Sequence, residues 1–144
     1  MKHFLLDNSI GFNTNAAANL LKKELNKKFV DAGIDLTAEQ WMILNRLWEN
    51  DGVSMSDLAL RTYRDNASIT RTLLLLQKKS FVILKDDASD NRYWKVFLTD
   101  KGKKIREKLI PCAEKVLARA TLGMSEKEAT IMNTLCKKII RNLI

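Results

Sequence analysis

Residues 54–102 read SMSDLALRTYRDNASITRTLLLLQKKSFVILKDDASDNRYWKVFLTDKG, and this stretch decides the fold. Two short helical patterns, MSDLALRTYR and NASITRTLLLLQKKS, run into two extended apolar segments, FVILK and YWKVFLT. The residues between those segments, Asp86 to Arg92, are polar and charged. Helix, turn, helix and a hairpin with a charged tip together present one helix and one loop to duplex DNA. The expected strands are Phe81 to Lys85 and Arg92 to Leu98, rich in aromatic and β-branched residues.

Outward from this segment, helix punctuation is legible on both sides. A first helix is expected from about Asn13 to Ala32, with Gly33 ending it. Thr37 and Gln40 make a capping-box pair that opens a second helix, in which Trp41, Leu44 and Trp48 fall at helical spacing. Ser54 and Asp57 follow the same logic for a third, and a fourth runs from Asp65 or Asn66 to about Lys79. A fifth begins at Thr99 to Gly102 and reaches about Ala120, interrupted or bent by Pro111. Ser125 and Glu128 cap a last helix through Asn142. The class is mainly α, with about six helices and a β-hairpin wing.

Charge supports the DNA reading. The net formal charge of the 144-residue chain is +8. Residues 1–53 carry 6 Lys/Arg against 7 Asp/Glu, residues 54–104 carry 11 against 6, and residues 105–144 carry 8 against 4. The basic excess begins where the helix-turn-helix begins, as phosphate neutralisation requires. No apolar run is long enough for a membrane span, and the N-terminus MKHFLLDNSIGF turns acidic too soon for a signal peptide. Cys112 and Cys136 lack metal-ligand spacing and sit on apolar stripes, which points to buried, inert thiols in a reduced cytoplasmic protein. No metal or cofactor is expected, and no His, carboxylate pair or Gly-rich loop forms a catalytic constellation.

On a helical wheel the fourth helix divides cleanly. Ile69, Leu73 and Leu76 form its back, while Ala67, Arg71, Leu74 and Lys78 form its front with Ser68 at the margin. Arg71 can fork onto guanine or grip a phosphate, and Ser68 and Thr70 can donate to phosphates or bases. Asn66 and Ser68 either contact DNA or cap the helix. At the hairpin, Asp90 either holds Arg92 for the minor groove or the two merely staple the turn. Lys85 and Lys95 serve the phosphate backbone. Met132, Cys136, Ile139 and Leu143 stripe the last helix, and Ile105, Leu109, Cys112 and Val116 stripe the fifth; left partly wet in a monomer, they call for self-association.

LTAEQWMIL, SMSDLA, ASITRTLLLLQKKSFV and DASDNRYWKVFLTDKG, in this order and spacing, resemble the MarR family of winged helix-turn-helix transcription regulators. The resemblance implies a DNA-binding lobe over residues 36–104 and a helical dimerisation region from residues 1–35 and 105–144. It implies a homodimeric repressor on a pseudo-palindromic operator, with Asp90 and Arg92 matching an Asp-x-Arg wing motif. Asn91 departs from the middle Arg of that motif, Ser80 from a Gly after the recognition helix, and Leu74 and Leu75 from polar residues. A small lipophilic or phenolic effector is implied, bordered by Phe12, Trp41, Leu44 and Trp48, although Trp41 and Trp48 also read as ordinary core residues. The alternative function is a winged-helix protein-interaction module that does not read DNA, to which exposed Leu74 and Leu75 would be suited.

Overall fold

The structure is a computed structural model that describes residues 3–87 and 90–144, with residues 87 and 90–93 described by their backbone alone. After a 3-10 turn at Leu6–Asn8, the chain forms α1 (Ile10–Asp31), α2 (Ala38–Glu49), β1 (Val53–Ser54), α3 (Met55–Thr62) and α4 (Asn66–Lys78). It continues through β2 (Val82–Asp87), β3 (Asp90–Leu98), α5 (Asp100–Lys104), α6 (Arg106–Ala120) and α7 (Glu126–Leu143). This is a mainly helical winged-helix fold.

Local chemistry sets most boundaries. Thr37 Oγ1 accepts from the Gln40 N–H at 3.3 Å while Gln40 Oε1 accepts from the Thr37 N–H at 3.1 Å. Ser125 and Glu128 make the same reciprocal pair ahead of α7. Ser54 Oγ accepts from the Asp57 N–H at 3.0 Å, opening α3. Helix α1 begins three residues before the expected Asn13, because Ser9 Oγ caps it through the Phe12 N–H. A capping serine within a polar N-terminal stretch outranks the first apolar repeat as a start signal.

The sheet has the order β1-β3-β2 and is antiparallel throughout. Its ladder reaches Asp87 and Asp90, well past the expected strand ends at Lys85 and Arg92, since backbone pairing does not require the apolar side chains by which strands are recognised. Strand β1 was not anticipated; two residues carry no periodicity. It pairs Val53 with Val96 and Ser54 with Lys95. The Asp51 carboxylate fixes this edge by accepting from the Leu98 N–H at 2.8 Å and the Gly52 N–H at 3.0 Å.

The core lies between the sheet and the helices. Phe29, Ile43, Leu44, Leu47, Leu58, Ile69, Leu73, Leu76, Val82, Val96 and Leu109 are fully buried, each contributing about 1.5–3 kcal/mol by leaving water. The recognition element α4 is thus held by its back. The turn after it is formed despite the absence of glycine. Ser80 takes a left-handed conformation (φ 66°), its N–H donates to Gln77 O at 2.9 Å, and the Phe81 N–H donates to Leu76 O at 2.9 Å. These two bonds are the Schellman closure. Because the left-handed region is unfavourable for any residue with a Cβ, Ser80→Gly is expected to stabilise the fold by about 0.5–1 kcal/mol. Urea unfolding of the two proteins checks this, and equal or lower stability of the glycine form would refute it.

The expected fifth helix is two helices, which makes seven in place of six among the described residues. The break falls at Ile105 and not at Pro111, which lies inside an uninterrupted α6. Ile105 is where the packing partner changes, from the sheet beneath α5 to α1 beneath α6. The stripe of α6 is largely covered within the chain itself: Leu109 and Val116 are buried, and Ile105 and Cys112 lie against the core. Helix α7 differs. None of its residues is buried, and Ile131, Met132, Leu135 and Leu143 are exposed. Cys112 and Cys136 are half-buried, contrary to the expectation of buried thiols: Cys112 only borders the core, and α7 has no buried residue.

Candidate nucleic-acid interface

Asp65, rather than Asn66 or Ser68, caps the recognition helix α4. Its Oδ1 accepts from the Ser68 N–H at 2.7 Å and its Oδ2 from the Ser68 hydroxyl at 2.9 Å. The Ser68 backbone bond first, and then its hydroxyl, hold the Asp65 carboxyl below the usual carboxylate range. Arg71 Nη2 donates to the same Ser68 Oγ at 3.4 Å. A short relay thus runs from the cap to the guanidinium, and Arg71 stands already oriented at the helix surface. Thr70 Oγ1 donates back to Asn66 O at 2.8 Å, leaving its lone pairs outward.

The division predicted from the wheel is present. Ile69, Leu73 and Leu76 are buried, whereas Asn66, Ala67, Arg71, Leu74 and Lys78 are exposed and Ser68 and Thr70 are half-buried. Leu74 and Leu75 are 52% and 49% exposed, so both departures lie on the outside. The hairpin is tied to this helix by Gln77, whose Oε1 accepts from the Leu84 N–H at 3.0 Å. Lys85 and Lys95 are directly opposite in the ladder and share one face, with the Lys85 ammonium 5.1 Å from the Phe97 ring centroid. The side chains of Asp90 and Arg92 lie outside the described residues.

Beside α4 lies an open pocket of about 270 Å³ that includes Glu39, Met42, Arg64, Ser68, Arg71 and Leu75 in its lining. Arg64 was not singled out from the sequence. It lies in the turn between α3 and α4, where nothing in the spacing distinguishes an inward cation from a solvated one. The expected effector residues stand elsewhere. Trp41 and Trp48 stack edge to face with ring centroids 5.7 Å apart, and Trp48 Nε1 donates to Gly102 O at 2.9 Å. Leu44 is fully buried, and Phe12 is exposed on α1.

A profile of the MarR family matches residues 36–93, the span from the start of α2 into the hairpin. The regulator TtmR of Methylorubrum extorquens strain PA1 is 28% identical over 128 residues. Residues 36–93 are a MarR-family segment. The match to TtmR takes in 89% of this chain and 65% of TtmR, so the chain spans somewhat under two thirds of that relative. The regulator SarZ of Staphylococcus aureus is 28% identical over 83% of this chain and 82% of its own. The crystallised BpsR of Bordetella bronchiseptica, whose DNA binding is regulated by 6-hydroxynicotinic acid, superimposes with a TM-score of 0.85. It is 22% identical, over 96% of this chain and 97% of BpsR, and shows the shared fold. TtmR and SarZ are both HTH-type transcriptional regulators. No helix among the described residues is long and apolar enough to cross a membrane.

Proposed function

We propose that this MarR-family chain is a sequence-specific, double-stranded DNA-binding repressor that acts as a homodimer in the cytoplasm and is released by a small lipophilic or phenolic effector. The observation that carries the reading is the surface of α4. Its apolar back is consumed by the core, and its front offers Asn66, Ser68, Thr70, Arg71 and Lys78 from a rigid helix. Residues 36–104 are the reading lobe, with Asp90, Arg92 and Lys95 of the hairpin as its second contact. Residues 1–35 and 105–144 are the dimerisation region, for which the uncovered stripe of α7 speaks. The effector reading draws on BpsR, which shares the fold and answers to 6-hydroxynicotinic acid. Phe12, Trp41, Leu44 and Trp48 remain the proposed border of the effector cleft.

Selection of bound sites from random duplexes tests this, with sedimentation beside it. The expected result is a two-fold symmetric consensus bound by a dimer, with log affinity falling against log salt by about 0.9 for each phosphate contacted. A monomer at micromolar concentration with no selected consensus would refute it. Exposed Leu74 and Leu75 favour a second reading, a protein-interaction module. That module would show neither a consensus nor a steep salt dependence.

A further inference from the structure

Cations and a carboxamide from three places in the chain converge on the first turn of α2. From α1, Lys22 Nζ lies 2.7 Å from Glu39 Oε1, and Asn26 Oδ1 accepts from the Ala38 N–H at 2.7 Å. From just ahead of α4, Arg64 donates to Glu39 Oε2. From just behind α4, Lys79 Nζ donates to Asp35 O at 3.0 Å and to Gln40 Oε1 at 3.2 Å, and lies 3.3 Å from Asp35 Oδ1. Both ends of the recognition helix are therefore tied to one turn, and that turn is tied to α1. Glu39 is the group that meets a cation from each side. Burial first, and then the charge of Arg64 across Glu39, lower the pKa of Lys22, so the two cations sense each other through this joint.

We propose that Glu39 is a positioning residue for operator recognition, fixing the tilt of α4 against α1 and thereby the half-site spacing the protein prefers. The inference rests on the dimeric DNA-reading function proposed above, in which α1 belongs to the dimer base and α4 to the reading lobe. The lever is long enough to matter. Thirteen residues at about 1.5 Å each make α4 about 20 Å long, so a tilt of about 10° at one end moves the other by about 3 Å, close to the ~3.4 Å of one base-pair step. A dimer doubles the error. Losing this brace costs little stability, since a half-exposed ion pair contributes little by itself, but it lets the two recognition helices lie at a range of separations.

The test uses the full chain and duplexes carrying two copies of the selected half-site at the preferred spacing, one base pair shorter and one longer. For the wild type the ratio of affinities between preferred and shifted spacing is large. In Glu39→Gln and in Lys22→Met the ratio is expected to fall about threefold, while the thermal midpoint, dimer mass and salt slope stay as they were. Lys22→Met is the sharper arm, because Lys22 lies on α1 and leaves Arg64 with Glu39. A folded, dimeric variant pair that keeps the wild-type ratio overturns the proposal, because a merely structural ion pair would leave spacing preference unmoved. A wild type indifferent to spacing overturns the dimeric reading itself, and the positioning role with it.

Discussion

Arg71→Ala is expected to weaken binding to the selected operator by about 1–3 kcal/mol and to relax base preference at one position of each half-site. Arg71 is exposed on α4, and its one described bond is to Ser68 on the same helix surface. Loss of its side chain therefore removes no core contact, and stability should stay within about 0.5 kcal/mol of wild type. Affinity and stability separate at this residue, as a direct contact requires. Titrations against the operator and its single-base variants provide the measurement. An unchanged affinity, or a uniform loss across all variants, would remove Arg71 from base recognition; the uniform loss would leave it as a phosphate ligand.

Gly102→Ala should destabilise the fold by about 2–4 kcal/mol. In most helices the same change stabilises, by up to about 1 kcal/mol, so the sign alone is informative. Here α5 crosses so close to the start of the hairpin that an added Cβ would stand 2.1 Å from the Phe81 carbonyl oxygen and 3.2 Å from a Leu98 methyl. A backbone oxygen cannot rotate away. Relief requires α5 to shift, and with it the Gly102 carbonyl that accepts from Trp48 and the Thr99 hydroxyl that donates to Ser80 O at 2.6 Å. Urea unfolding gives the number, and a stability equal to wild type would mean that the contact is readily relieved.

Much of the reading lobe is legible because its determinants are local. A capping box is a relation between residues three apart, and Thr37–Gln40 and Ser125–Glu128 formed as their spacing dictates. The back and front of α4 follow from helical period alone. Errors gathered where a distant partner decides. Pro111 marked the wrong break in the fifth helix, since the interruption falls at Ile105, where the packing surface changes. The cap is a local exception: Asn66 and Ser68 both offer one, yet Asp65, with extended backbone at the N-cap position, accepts from both the N–H and the hydroxyl of Ser68. The hairpin outgrew its apolar residues because neighbouring backbone continued the ladder.

Sequence by itself determined the class of the fold, the order of its main helices and the hairpin, the apolar back of α4 and the placing of Arg71 on its front. All of these depend on periods and caps spanning a few residues. Tertiary structure alone decided that α6 buries Leu109 and Val116 within the chain while α7 buries no residue, that Gly102 has no room for a side chain, and that Glu39 joins Lys22 to Arg64. Those facts depend on atoms 17 to 95 residues apart, as in the Lys22–Glu39 and Arg119–Glu24 pairs. No local pattern encodes such distances; the packing of the finished core sets them.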